Sequence, residues 1–248
     1  MINGDETVLH GFKSLMYRSG WLYNAITRRL YDQDKKFLTI AKLIGKGPKR
    51  VLDLPCGTGY LMRFLHPLIE YEGVDLNLRF LKRIKNKELK KRNIKLKKII
   101  LKQGNIFDFQ DYLREKVDVI VISDALHHVY PKHVELINMA KESARKIIIC
   151  EPYAIKPKEI NARDRIFKII IYFGKFLPLS IIKIIDFLFL DNDGINPYHK
   201  RDKWSFDFKS LKEFYKTMGF NRSFCLIDEY IGVWESSVPL YLEKSSNK

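Results

Sequence analysis

The sequence has 248 residues, 46% of them hydrophobic, which suffices for one sizeable core and predicts a single domain over residues 1–248. The formal net charge of +16 implies attraction to anionic partners. Cys56, Cys150 and Cys225 are too few and too widely spaced for a disulfide framework or a zinc cluster, so we expect a cytoplasmic protein without a metal site.

The chain begins with a segment, residues 1–48, that we expect to be helical. Residues 7–44 carry apolar and aromatic side chains at helical spacing and predict two helices. We expect their aromatic residues to belong to the core. No linker rich in Gly, Ser or Pro separates this segment from the rest of the chain.

Five short runs rich in Val and Ile follow between residues 50 and 152, and helix-like segments separate them. The runs are RVLDL, YEGVDL, KKIILKQG, VDVIVIS and KIIICEP. Nearly continuous apolar content is typical of parallel strands buried on both faces. The pattern therefore predicts a doubly wound α/β sheet.

The last third of the chain predicts a helical insert and a hairpin. Within the insert, residues 153–204, charged residues and Pro178 interrupt the apolar run 165–190, which argues against a transmembrane span. Two amphipathic helices split at 177–180 are expected instead, as a cap over an apolar substrate, a membrane-docking element, or core or dimer packing. Near the C-terminus, NRSFCLIDEY and VPLYLEK, joined by IGVWESS, predict the hairpin.

A basic stretch lies at residues 79–102, with twelve Lys or Arg residues and one acidic residue, Glu88. Either a solvated helix face or a surface that binds anions is consistent with this composition. Anionic lipid headgroups and nucleic acid are the two partner classes that such a surface would suit.

A two-glycine turn follows the first predicted strand in the segment VLDLPCGTGYL, residues 51–61. Gly57 and Gly59 permit positive φ, and a strand that leads through such a turn into a helix presents backbone N–H groups to a ligand. A dinucleotide fingerprint would need a third glycine where the chain has Met62. Asp53 would repel a diphosphate but attract an ammonium or sulfonium group. The turn therefore favours S-adenosylmethionine.

The segment DLPCGTG resembles the first motif of class I S-adenosylmethionine-dependent methyltransferases, D/E-x-G-x-G-x-G, with Pro55 in place of the first glycine. The resemblance is close over residues 50–152 and loose over 205–244. The other segments that carry it are YEGVDLN, QGNIFDF, VDVIVISDALHHV, KIIICEP and the terminal hairpin. The sequence is similar to the group that methylates quinone precursors, small metabolites and lipids. The resemblance implies a Rossmann-like sheet of order 3-2-1-4-5-7-6 with an antiparallel last strand.

The resemblance also implies which residues bind the cofactor. The glycines of the turn would hold its amino-acid end through their backbone, and Asp53 would face its ammonium group. Asp75 would accept the ribose hydroxyls, while Asn105 and the Ile106 amide would bind adenine. The expected cofactor-binding set is Asp53, Pro55, Cys56, Gly57, Thr58, Gly59, Asp75, Leu76, Asn105, Ile106 and Ser123.

Candidate catalytic residues follow the fourth predicted strand. Asp124 and His128 are four residues apart at the start of a predicted helix, where they would share one face. A carboxylate there would favour His128 as proton acceptor. In the phosphobase methyltransferases, which SDALHH resembles, the matching histidine works with an N-terminal tyrosine. The candidates for that tyrosine are Tyr17, Tyr23 and Tyr31.

The sequence as a whole predicts methyl transfer from S-adenosylmethionine to a small-molecule or lipid-like acceptor, in the cytoplasm or at a membrane periphery. An RNA methyltransferase is the alternative, although no RNA-binding module is recognisable. A non-catalytic scaffold that binds the cofactor is the second alternative. The segment DNDGIN, which starts at Asp191, has its glycine too early for a calcium loop and predicts a turn.

Overall fold

The computed structural model describes residues 13–30, 32–91, 94–113, 115–153, 176–189, 192–193, 203–226 and 229–237. Its strands are β1 (Lys49–Asp53), β2 (Ile69–Asp75), β3 (Lys98–Gln103), β4 (Val117–Ser123), β5 (Ala144–Pro152), β6 (Arg222–Cys225) and β7 (Glu229–Glu235). They form one sheet in the order β3-β2-β1-β4-β5-β7-β6. The first five strands are parallel, and β7 is antiparallel to both β5 and β6. The predicted order and the antiparallel last strand are confirmed.

Helices pack on both faces of this sheet. They are α1 (Leu15–Arg18), α2 (Gly20–Leu30), α3 (Gln33–Ile44), α4 (Leu78–Arg83), α5 (Leu89–Lys91), α6 (Leu126–Val129), α7 (His133–Ser143), α8 (Leu179–Phe189) and α9 (Phe208–Thr217). A π-helical turn, Ile84–Glu88, joins α4 to α5.

Neighbouring residues of the central strands point to opposite faces and serve two separate cores. Leu52 packs on one face with residues of α7 and α9. Val51 packs on the other face with residues of α3 and α4. Because both faces are covered, both sets of side chains must be apolar, which is why the strand sequences show no alternation.

The described part of the N-terminal segment contains three helices where the sequence predicted two. The break between α2 and α3 is explained by Asp32, whose side chain accepts a hydrogen bond from Lys35 N at 3.2 Å and caps α3. α2 begins at Gly20, where an added Cβ would lie 2.7 Å from Arg83 Cδ. A glycine there allows α2 to pack closely against α4.

The predicted hairpin is wrong in its second strand. The segment that was expected to be the connection, IGVWESS, supplies most of β7, which pairs with both β5 and β6. Gly232 lies within this segment, and an added Cβ there would lie 2.7 Å from Tyr215 Cδ2. Close packing against an aromatic ring therefore explains this glycine. VPLYLEK lies outside the described residues.

The described part of the insert contains the second of its two predicted helices. α8 begins directly after Pro178, as expected, and the predicted first helix lies outside the described residues. None of the described helices has the length and apolar character needed to cross a bilayer.

Candidate active site

The carboxyl ends of the parallel strands place acidic residues along one edge of the sheet. Asp53 ends β1, Asp75 ends β2, and Glu151 lies next to the end of β5. The antiparallel β7 begins at the same edge, because Glu229 pairs with Pro152. Ligands of open α/β sheets bind at this edge.

The glycine turn lies between β1 and a single 3₁₀ turn, Leu61–Arg63, rather than the longer helix that the sequence predicted. Gly57 and Gly59 have φ values of 51° and 71°. A Cβ on Gly59 would lie 2.5 Å from Met62 Cε, whereas a Cβ on Gly57 would meet no atom within 4 Å. Close packing thus requires a glycine at position 59, whereas Gly57 faces open space.

Asp53 is turned toward the interior of the sheet. Its side chain is 2% exposed, and the Tyr71 hydroxyl donates to Oδ2 at 2.6 Å. Burial raises the pKa of Asp53 to about 7, against the effect of the Tyr71 hydrogen bond. The expected contact with the cofactor's ammonium group stays a prediction.

Asp75 joins the first two motifs. Its Oδ2 accepts from Gly57 N at 2.8 Å and its Oδ1 accepts from Asn77 N at 2.7 Å. Burial raises its pKa to about 6, although both backbone hydrogen bonds act in the opposite direction. Each carboxylate oxygen retains a second lone pair, so the predicted acceptance of ribose hydroxyls is compatible with this arrangement.

The residues expected at adenine are engaged locally. Asn105 Oδ1 accepts from Phe107 N at 3.1 Å and closes a turn, so acceptance of a hydrogen bond from the adenine amino group would use the second lone pair of Oδ1. Ile106 is buried in the core beside Phe109. Leu76, the residue after Asp75, accepts through its carbonyl from Gln103 Nε2 at 3.3 Å.

The N-terminal helices cover the glycine turn through polar contacts. Thr58 Oγ1 donates to Asn24 Oδ1 at 2.7 Å, and both side chains are buried. Asn77 Nδ2 donates to the carbonyl of Tyr17 at 2.8 Å. Cys56, within the turn, is buried and donates its backbone N–H to Val74 O at 2.8 Å. Helices α1 and α2 are therefore part of this site.

Asp124 forms an ion pair that the sequence did not predict. The Lys36 ammonium group lies between the carboxylates of Asp124 and Glu229, and Lys36 is fully buried. Burial acts to raise the pKa of Asp124, but the Lys36 charge keeps it below its usual value. Burial raises the pKa of Glu229 to about 8, partly offset by Lys36. The structure pairs Asp124 with Lys36, and the expected contact of Asp124 with His128 stays a prediction.

Asp124 also has a backbone conformation that few residues adopt. Its φ is 53°, although it is not a glycine. Its N–H donates to Cys150 O at 2.9 Å, and Ser123 Oγ lies 3.5 Å from its Oδ2. The Lys36 ion pair and this backbone bond hold the turn that leads from β4 into α6.

Glu151 fixes the start of α6 and the first of its two histidines. Its Oε1 accepts from Ala125 N at 2.7 Å and from Leu126 N at 2.9 Å. Its Oε2 lies 2.7 Å from His127 Nδ1. Because Glu151 is fully buried, these contacts assign His127 a structural role.

His128 lies between a tyrosine and an aspartate from distant parts of the chain. Its Nε2 is 3.3 Å from the Tyr17 hydroxyl. Its Nδ1 is 3.2 Å from Asp193 Oδ2, a charge contact rather than an aligned hydrogen bond. Tyr17 is thus the candidate tyrosine that reaches the histidine. Tyr23 packs against the Tyr17 ring, and Tyr31 lies outside the described residues.

Sequence reasoning missed Lys36, Glu151, Glu229 and Asp193 as residues of this site. Glu151 could have been found, because it lies at the carboxyl end of a buried strand. Asp193 lies in the DNDGIN segment, whose acidic residues were interpreted only as a turn. Among the described residues, no group of three or more His, Cys, Asp or Glu side chains could hold a metal ion.

Comparison with known proteins adds independent information. Residues 52–146 match the family model for a methyltransferase domain. Residues 52–146, which include β2, β3 and β4, therefore have the sequence of a methyltransferase domain. Comparison with curated proteins found no significant match.

Solved structures share the fold of this methyltransferase domain at low identity. An O-methyltransferase family protein from Burkholderia thailandensis is 13% identical, with a TM-score of 0.56 over 89% of this chain and 60% of its own. Magnesium protoporphyrin IX methyltransferase from Synechocystis PCC 6803, with bound SAH, is 13% identical, with a TM-score of 0.50 over 88% and 84%. The methyltransferase domain of bacterial CtHen1-C is 15% identical, with a TM-score of 0.54 over 84% and 99%.

The chain spans 60% of the length of the Burkholderia protein and 59% of that of a putative O-methyltransferase from Nostoc punctiforme PCC 73102. At these identities the similarity shows the fold. The SAH in the Synechocystis structure is bound to that enzyme.

Proposed function

We propose that the chain transfers the methyl group of S-adenosylmethionine to a small-molecule or lipid-like acceptor, with His128 as the proton acceptor. The observation that carries this proposal is the chain of contacts from Tyr17 through His128 to Asp193. It lies beside the end of β4, close to the cofactor edge of the sheet.

The residues of the glycine turn fit the cofactor. Beside the Gly57 α-carbon, the position that a Cβ would occupy is open space. The neighbouring Asp75 carboxylate has lone pairs that can accept hydrogen bonds from hydroxyl groups. When bound, the sulfonium group supplies an electrophilic methyl carbon. Asp53, Pro55, Cys56, Thr58 and Gly59 would shape the pocket beside these two residues.

The polar chain around His128 is suited to removing a proton from an acceptor hydroxyl or amine. An anionic Asp193 beside Nδ1 favours the tautomer with its proton on that nitrogen, which leaves Nε2 as an acceptor. The Tyr17 hydroxyl is the group within reach of Nε2. A proton leaving the acceptor would pass to Nε2 directly or through this hydroxyl, while Ser123 and Asp124 line the end of β4.

The acceptor class is inferred from α8, which leads toward Asp193 with many exposed apolar side chains. An apolar or amphiphilic acceptor suits such surroundings. The protein named magnesium protoporphyrin IX methyltransferase shares the fold and supports a small-molecule acceptor. We propose a cytoplasmic or membrane-peripheral location for the reaction.

The decisive experiment supplies labelled S-adenosylmethionine to the purified chain together with lipid, metabolite and RNA fractions of the source cell. We expect label in the lipid or metabolite fraction. His128→Ala should lower kcat by about 10²- to 10⁴-fold, the usual contribution of a general base, with unchanged affinity for S-adenosylhomocysteine. His66→Ala, in a loop before β2, is the matched control and should retain activity.

Two further variants separate positioning from chemistry. Tyr17→Phe keeps the ring packing but removes the hydroxyl and should lower kcat. Asp193→Asn should lower kcat, and Asp193→Glu should restore part of it, because the carboxylate orients His128. Label only in RNA would contradict the acceptor class, and label in no fraction would favour a non-catalytic scaffold.

A further inference from the structure

Helix α8 presents apolar side chains to solvent along its length. Phe176, just before the helix, is 71% exposed, and Ile184 at its centre is 56% exposed. The other exposed apolar residues of the segment are Leu177, Leu179, Ile181, Phe187 and Phe189. A soluble domain seldom exposes so many large apolar side chains on one element without a binding role.

The apolar surface continues onto the N-terminal helices. α1 packs against α8, and Ser14 N donates to Asn192 O at 3.0 Å where the two segments meet. Leu15 of α1 is exposed, and Trp21 at the start of α2 is 65% exposed. Tryptophan is enriched where proteins meet the boundary between lipid and water.

A cationic surface adjoins this apolar one. α2 packs against α4, and Arg79 Nη1 donates to the carbonyl of Arg18 in α1 at 3.4 Å. Glu88, the one acidic residue in the sequence from 78 to 91, is buried against Arg63 and Arg83. The exposed charges of this segment are therefore all positive, namely Arg79, Lys82, Lys85, Lys87 and Lys90.

We propose that α8, the exposed residues Leu15 and Trp21, and the exposed cations of α4, the π-helical turn and α5 together form a docking surface for an anionic lipid bilayer. The eleven residues of α8 span about 16 Å, roughly half the thickness of a hydrocarbon core, so the helix would lie in the plane of the interface. A surface with cations alone could bind nucleic acid as well as it binds anionic lipid. An apolar helix beside them matches acyl chains beneath anionic headgroups.

The docking surface leads directly to the proposed reaction site. The residues just after α8 include Asp193, which contacts His128, and Asn192, which is bonded to Ser14. A headgroup at this surface would lie near the end of the helix that reaches the candidate base. The identification of the acceptor as a membrane lipid rests on the proposed function, whereas the docking itself does not.

The test measures binding of the purified chain to phosphatidylglycerol vesicles and to phosphatidylcholine vesicles by flotation, without cofactor. We expect binding to the anionic vesicles to be about tenfold tighter or more and to weaken with salt. Leu179→Glu/Ile184→Glu should reduce it about tenfold. The matched control, Leu68→Glu/Val134→Glu, changes two exposed apolar residues elsewhere and should bind as the unmodified chain does.

A second pair of variants tests the charges. Lys82→Ala/Lys85→Ala/Lys87→Ala should also weaken anionic binding about tenfold, while Lys209→Ala/Lys212→Ala/Lys216→Ala on α9 should not. The docking surface would be overturned if the chain did not bind vesicles, or if each control variant lost as much vesicle affinity as its test variant. So would tighter binding to single-stranded RNA that depends on the lysines alone, or a dimer that dissociates on Leu179→Glu/Ile184→Glu.

Vesicle binding and methyl transfer can fail separately. Vesicle binding without methyl transfer would support the docking surface and contradict the proposed function. Methylation of a soluble acceptor without vesicle binding would support the proposed function and overturn the docking surface.

Discussion

Near the glycine turn, the fold changes the pKa of the Asp53 carboxyl group most clearly. Its pKa is raised from an ordinary value of 3.8 to about 7, chiefly by burial. Between those pH values the folded chain holds a proton that the unfolded chain has released. The free energy of unfolding therefore falls as pH rises through this window.

Replacing Asp53 with Asn removes this titration. We expect the unmodified chain to lose roughly 3 kcal/mol of stability relative to Asp53→Asn between pH 5 and pH 8. Urea denaturation followed by circular dichroism at several pH values measures the difference. A difference that stays constant across the range would show that Asp53 is ionised in the folded protein.

Lys36 is the second residue whose environment makes a sharp prediction. Lys36→Met leaves Asp124 and Glu229 without their cation inside the protein and should lower the free energy of unfolding by about 3–5 kcal/mol. Adding Asp124→Asn should restore part of the loss, because asparagine tolerates positive φ and carries no charge.

The adjacent Lys35 supplies the control for this prediction. It is exposed on the same helix, and Lys35→Met should change stability by no more than about 0.5 kcal/mol. Urea denaturation of the three variants and the unmodified chain gives the comparison. Equal stability of Lys36→Met and Lys35→Met would contradict the buried ion pair.

At the scale of elements, the turn after β1 assigns different tasks to its two glycines. Both have positive φ, which costs an alanine about 1–2 kcal/mol. Gly59→Ala must also displace Met62 and Ile84, both buried in the core, and overpacking adds about 1–3 kcal/mol. Gly57→Ala has no such neighbours and instead narrows the proposed cofactor space.

The two alanine variants should therefore separate stability from binding. Gly59→Ala should be the less stable protein, and Gly57→Ala should bind S-adenosylhomocysteine roughly tenfold more weakly, a loss of about 1.4 kcal/mol. Denaturation and calorimetric titration measure the two effects. Unchanged affinity in Gly57→Ala would place the cofactor elsewhere.

For the whole molecule, cofactor binding should appear as thermal stabilisation, because the proposed cofactor pocket would draw on the N-terminal helices, the glycine turn and the ends of several strands. S-adenosylhomocysteine at 100 times its Kd contributes about 2.7 kcal/mol. In a protein of this size that raises Tm by roughly 5–10 °C. A nicotinamide dinucleotide at equal concentration should not raise Tm. A rise in Tm with the dinucleotide and none with S-adenosylhomocysteine would refute the assignment of the cofactor.

The strand sequences predicted a doubly wound sheet and the glycine turn predicted a ligand site, while the strand order was implied by the resemblance to class I methyltransferases. Strands buried on both faces need continuous apolar runs, and a turn against a ligand needs glycine, so both leave local signals. Gly232 shows where local signals fail. It serves a contact with Tyr215, in another element, and so it was misread as part of a connection.

Only the tertiary structure decided which acids and bases meet at the site. Asp124 and His128 are neighbours in sequence, yet Asp124 pairs with Lys36 from α3 and His128 with Tyr17 and Asp193. Each contact joins segments far apart in the chain. A buried charge takes whichever partner the packing of helices brings to it, and no spacing within one segment records that partner.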